Sequence, residues 1–413
     1  MIMQDNEKKP ALRFKGFTDP WEQRKLGELV EIGDIDHRMP ETVDVGIPYL
    51  MTGDFCGTNE LNFNGVKLIS EIEYNQLSQK IKPEQGDILF ARYASVGTVR
   101  YVDFTRKFLI SYSCAIIKKG KKINSQYLYH FITSDEAQKQ IKLQINTGSQ
   151  SNIGIDSMKN NILVQMPLID EQVQIANMLT NLDHLITLHQ RKYEKLVNIK
   201  KSMLDKMFPK NGASVPEIRF KGFTDPWEQR KLEEYLEVSG QKNFEGIYTK
   251  EDVLSVSGDF GIVNQIEFQG RSFAGASVAN YGVVETGDIV YTKSPLKSNP
   301  YGIIKANKGK NGIVSTLYAV YKPKQSANPE FVQIYFEQDA RMNNYMHPLV
   351  NKGAKNDMKV SAENALKGQI VFPDIKEQRT ISEFFRNLDT LITLHQREHI
   401  KPILEVKRVK RNE

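Results

Sequence analysis

Apolar residues are arranged along this chain in two alternating regimes. Short β-branched and aromatic runs, bounded by Gly, Pro, Asn and Asp, occupy 46–51, 87–90, 98–102 and 113–117, and again 252–256, 288–291, 302–305 and 316–321. Runs of that length and bounding predict strands. Helical spacing follows each set, over 125–143 and 329–345, with Asn124 and Asn328 placed to cap the starts. A Gly-containing polar loop, a last strand near 162–166 or 369–372, and a proline complete each stretch. The pattern predicts a mixed α/β domain, written twice.

Beyond Pro167 the period changes. Ile175, Leu179, Leu182, Ile186, His189, Tyr193, Leu196, Lys200, Met203 and Met207 step by three and four, the seam of a coiled-coil helix over about 171–207. Such a helix is roughly 55 Å long at 1.5 Å per residue. Ile381, Phe385, Leu388, Ile392, His395 and His399 repeat the seam. Two such stripes bury each other only by pairing, and an antiparallel pairing makes them a spacer between two domains. His189 and His395 fall on the seam, where a polar residue sets register.

The chain is two copies of one half. Arg13-Phe-Lys-Gly-Phe-Thr-Asp-Pro-Trp-Glu-Gln-Arg-Lys-Leu26 recurs unchanged from Arg219 to Leu232, and Asn181-Leu-Asp183 with Leu185-Ile-Thr-Leu-His-Gln-Arg191 recurs from Asn387 to Arg397. Between these blocks only fragments persist, such as Gly86-Asp-Ile-Leu-Phe90 against Gly287-Asp-Ile-Val-Tyr291, and Thr52-Gly-Asp-Phe55 against Ser257-Gly-Asp-Phe260. A shared frame therefore carries two different surfaces. The segments expected are 1–168, 169–210, 211–374 and 375–413.

Composition narrows the class. At 413 residues and 47.3 kDa there is room for two cores. No apolar run is long enough to cross a bilayer, no secretory signal opens the chain, and Cys56 and Cys114 are too few for a disulfide framework. The expected location is the cytoplasm. A net charge of +6 favours polyanion partners without demanding them.

The order of variable domain, helix, variable domain, helix resembles the specificity subunits of type I restriction-modification enzymes. So do Trp-Glu-Gln-Arg-Lys-Leu at the start of each half, Gly86 to Arg92, the segments Pro167 to Gln172 and Pro373 to Gln378, and Leu-Ile-Thr-Leu-His-Gln-Arg. The resemblance implies two target recognition domains, each reading half of a bipartite DNA sequence, separated by two long helices in an antiparallel coiled coil with pseudo-twofold internal symmetry. It further implies that the chain binds no cofactor itself. S-adenosylmethionine, ATP and Mg belong to its partners, two modification subunits that methylate adenine and restriction subunits that translocate and cleave. One departure is Pro402, which removes a helix donor and predicts a kink or stop near Lys401.

Reading bases requires planar donors and amides, and holding phosphates requires cations. The first half offers Arg92, Tyr93 and Ser95 after the Gly-Asp-Ile-Leu-Phe strand, and Ser149, Gln150 and Asn152 in the loop 146–152. The second offers Thr292, Lys293, Ser294, Lys297 and Asn299 at the equivalent place, and Lys352, Lys355 and Asn356 in the loop 351–356. Arg92 suits guanine, Gln150 or Asn152 adenine, and Lys293, Lys352 and Lys355 phosphate. Asp-Pro-Trp at Trp21 and Trp227 falls short of the Asn/Asp-Pro-Pro-aromatic motif of adenine methyltransferases and reads as a turn with a packed aromatic. Asn328-Pro-Glu-Phe331 is a similar near miss at a helix start. Neither a cofactor glycine loop nor a Walker loop accompanies them, and Pro373-Asp374 lacks the rest of a nuclease core. The competing classes are a stand-alone methyltransferase and a coiled-coil scaffold without nucleic acid.

Overall fold

The computed structural model describes residues 10, 12–148, 151–210, 212–293, 295–296, 299–350 and 360–409, with side chains up to residue 396. The chain divides into two compact units, Met1–Leu188 and His189–Glu413, and each is a mixed helix/sheet fold.

In the first unit a four-stranded antiparallel sheet runs in the order Ile32–Gly33, Cys114–Ile117, Ile88–Ala91, Val99–Tyr101. A second sheet places Ile47–Leu50 between Lys67–Ile69, antiparallel, and Leu109–Ile110, parallel. In the second unit the four-stranded order is Leu236–Val238, Tyr318–Pro323, Ile289–Thr292, Ile304–Ala306. The divergent part there forms separate two-stranded pairs, Leu254–Ser257 with Gly261–Asn264 and Gly282–Val284 with Gly312–Val314. The central strands Ile88–Ala91 and Ile289–Thr292 are buried throughout, as continuous apolar runs require. Gly302, with φ +86°, turns the chain where a Cβ would lie 1.7 Å from the Thr292 carbonyl oxygen, so this hairpin admits no side chain there.

The repeated blocks build the frame. Glu22–Lys25 pairs antiparallel with Leu163–Met166, and Glu228–Lys231 pairs the same way with Gln369–Phe372. Arg13 forks onto the Glu171 carboxylate at 2.7 and 2.8 Å, and Arg219 onto Glu377 at 2.7 and 2.7 Å, each closing 158 residues of chain. Gln172 and Gln378 each accept the backbone N–H of the helix-capping asparagine, Asn124 or Asn328, at 2.9 Å. The Glu-Gln pair therefore fastens each long helix to its own α/β fold: the acid holds the arginine and the amide holds the cap.

Asn124 and Asn328 cap helices as expected, accepting from Tyr127 N and Phe331 N. The single helices expected after them are each broken. Ser125–Thr133 and Asp135–Leu143 are separated at Ser134, whose hydroxyl accepts from Ala137 N and caps the second piece. Pro329–Tyr335 and Asp339–Met346 form the corresponding pair. Trp227 is buried edge-on against Phe208 and Phe331, each ring centre 5.9 Å away, and Trp21 meets Tyr127 edge-on.

The long helices span Ile169–Lys206 and Ile375–Val409. The second continues through Pro402, where a kink or stop was expected, so it does not stop there. A proline deletes one backbone donor while its fixed φ still fits a helix, so the neighbouring turns carry the backbone onward. Within the second unit, Leu204, Met207 and Phe208 from the first long helix share a core with Ile381 and Phe385 from the second. Further along, His189 Nδ1 lies 3.1 Å from His395 Nδ1, and Lys200 lies 2.8 Å from Asp389. Of the seam positions, Phe385, Leu388 and His395 are buried, Leu179, Ile186, His189 and Ile392 are half-buried, and Leu182 is exposed. The His399 side chain lies outside the described ones. Among the described residues no helix is long and apolar enough to cross a membrane.

Candidate nucleic-acid interface

In the first unit the two loops singled out by sequence come together. Tyr93 and Asn152 form an antiparallel bridge. Asn146 and Asn152 bond through their backbones at 2.8 and 3.3 Å and through their amides at 3.2 Å. Ala94, at φ +58°, occupies the left-handed region that a non-glycine residue enters only at a cost, and it turns Ser95 out to solvent. Tyr93 is half-buried under the Arg92 guanidinium, 5.5 Å from its ring centre.

Arg92 itself is not presented to solvent. It is 6% exposed, its Nη1 pairs with the Asp34 carboxylate, and its Nε donates to the Ile153 carbonyl at 3.1 Å. The expected guanine reader is the internal tie between strand end and loop. Ser149 and Gln150 lie outside the described residues.

Asp34 gathers what sequence spacing did not connect. His37 Nε2 donates to it at 2.8 Å, Lys80 approaches at 3.6 Å, and Arg92 completes the set. The His37 ring also stacks on Tyr112, centres 5.0 Å apart and planes 24° apart. His37 and Lys80 side chains remain 57% and 72% exposed, so one buried carboxylate organises a surface rich in cations. The only sequence signal was Asp34 itself, an acid next to Gly33 in an otherwise apolar strand end, and its partner is 58 residues away.

In the second unit Thr292 is buried, its hydroxyl accepting from Ile303 N at 2.9 Å. The backbone consumes the group that was expected to face DNA. Asn299 is likewise turned inward, donating to Asp339 at 2.7 Å. Lys293 is half-buried. Burial, reinforced by the Lys242 ammonium and opposed by Glu363, holds Lys293 below the ordinary lysine range. Ser294, Lys297, Lys352, Lys355 and Asn356 lie outside the described residues.

Cys114 is buried, and burial pushes its thiol well above the usual range, which makes it a poor nucleophile.

Residues 18–198 match the type I restriction modification DNA specificity domain. Over 406 residues the chain is 22% identical to the type I restriction enzyme MjaX specificity subunit of Methanocaldococcus jannaschii, covering 92% of this chain and 89% of that one. Its fold is similar to that of a type I restriction-modification system S subunit from M. genitalium, with a TM-score of 0.56 at 15% identity over 98% of this chain and 96% of that one. The HsdS subunit from Thermoanaerobacter tengcongensis aligns at 16% identity and a TM-score of 0.40 over 94% of each chain.

Proposed function

We propose that this chain is the non-catalytic DNA-reading subunit of a type I restriction-modification complex. Each half reads one part of a bipartite target. The two long helices pair as an antiparallel coiled coil that sets the gap and docks two modification subunits. Those subunits bring S-adenosylmethionine and methylate adenine; restriction subunits bring ATP and Mg for translocation and cleavage. The complex works on double-stranded DNA in the cytoplasm.

The observation that carries this reading is the contrast inside each half. The identical blocks Arg13 to Leu26 and Arg219 to Leu232 supply the entering strand and the latch arginine of each half, whereas the sheets and loops beyond them differ. Divergent sheets and loops on a shared frame are what reading two different half-sites requires.

The test is to assemble the chain with its modification subunits and map the methylated adenines in host DNA. A bipartite motif is expected, and replacing 27–162 by the corresponding part of another such chain is expected to change one half-site only. Methylation without a defined motif, or a motif indifferent to that replacement, would overturn the reading.

A further inference from the structure

The geometry points to His37 as a base-contacting residue of the first half, accepting a hydrogen bond from an exocyclic amino group in the major groove, with Asp34 and Tyr112 as its positioning residues. This assignment rests on the DNA-reading function proposed above.

An exposed histidine ordinarily samples several rotamers, and holding one costs entropy. His37 is nevertheless fixed at two points, by Asp34 on one ring nitrogen and by the Tyr112 face. Its backbone N–H is also tied to Asp36 Oδ1 at 2.9 Å. The Asp34 carboxylate can only accept, so it takes the Nε2 hydrogen. In the neutral ring this leaves Nδ1 as an acceptor, and Nδ1 has no hydrogen-bond partner among the described residues.

The surroundings suit DNA. Arg92, Lys80 and His37 converge on one carboxylate, and the Tyr93–Asn152 bridge follows directly from Arg92. Arg92 is thereby committed inward, and the group left outward is an acceptor. In the major groove an acceptor meets adenine N6 or cytosine N4, the two amino donors on offer there.

The wild-type chain and its His37→Ala variant, each assembled with modification subunits, methylate a library of duplexes randomised across both half-sites. One base pair of one half-site, whether A·T or G·C, is expected to lose roughly 5- to 150-fold of its discrimination. The other half-site stays as it was. Which of the two pairs the wild type demands identifies the amino group. Tyr112→Ala is expected to relax the same position, and Tyr112→Phe, which keeps the ring face, to restore it; a merely structural tyrosine would not single out that position. Unchanged discrimination in His37→Ala, or a loss spread evenly over every position, overturns the assignment while leaving the DNA-reading function intact. A wild-type complex that methylates no defined sequence overturns that function, and the assignment with it.

Discussion

Arg100 and Lys305 stand at the same place in the four-stranded sheets of the two halves, opposite Leu89 in one and Val290 in the other. Both are buried, at 7% and 8% exposure. Arg100 donates to the carbonyls of Cys56, Gly57, Glu60 and Val99 at 2.7–3.1 Å and so staples the turn after Phe55. The Lys305 ammonium makes no hydrogen bond or ion pair among the described residues, and it lines a cavity of about 670 Å³ with Lys200, Glu337 and Asp389. Burial holds its ammonium below the ordinary lysine range. A planar fork with five donors can saturate itself on backbone oxygens, whereas a single ammonium in the same slot cannot. The shared frame thus accepts either cation, and what changes is the surface beyond it.

The largest expected effect separates these two residues. Arg100→Met takes the guanidinium donors from four carbonyls and is expected to destabilise the first half by about 3 kcal/mol. Lys305→Met removes a buried charge that has no close partner and is expected to cost less than about 1 kcal/mol, or to stabilise. Hydrogen exchange resolved by segment, with denaturant titration, reads the halves separately; equal losses would break the comparison.

Next comes the anchoring of the long helices. Lys200 meets Glu337 at 2.6 Å and Asp389 at 2.8 Å; burial pulls its ammonium down, but the two carboxylates outweigh that and hold it above the usual range. Lys200→Met is expected to destabilise the second half by about 2 kcal/mol, less than a wholly buried pair because both acids are partly exposed. A smaller, symmetric effect tests the sameness of the frame. Arg13→Lys and Arg219→Lys each lose the bidentate fork and are expected to cost about 1 kcal/mol apiece, equal between halves.

The smallest effect lies at Asp183, the repeat counterpart of Asp389. It faces His130 across 3.8 Å, and His130 also bonds Thr180 at 3.0 Å. Burial lowers the His130 pKa, with Asp183 opposing. A histidine less basic when folded takes up its proton more readily when unfolded. Stability of the first half is therefore present above its unfolded value of about 6.5 and falls as pH drops through it. Burial raises Asp183, which works the other way, protonation on acidification relieving the folded state. In His130→Gln the loss below about pH 6.5 is expected to vanish, as measured by paired denaturation curves at neutral and mildly acid pH.

The sequence announces some of this plainly. The capping asparagines, the apolar strands after Gly-Asp and the last strand of each half appear close to where local pattern places them. The closing strands Glu22–Lys25 and Glu228–Lys231 escaped because every residue is exposed; backbone pairing, not side-chain alternation, makes them strands. The break at Ser134 escaped because a serine that caps the next helix looks, in sequence, like one inside a single helix. Arg92 and Thr292 were correctly placed at strand ends yet misread in direction. Whether such a side chain faces solvent or core depends on Asp34 and Ile303, which spacing along the chain does not connect to them.

The strand that enters each half lies beside the strand that leaves it, and the arginine latch fastens the same spot. Each half is thus closed by two joints that sit side by side and are made by residues outside 27–162. An insert grafted between Leu26 and Leu163 finds both joints already formed, and what it must still supply to the long helix is a backbone N–H for Gln172 to accept.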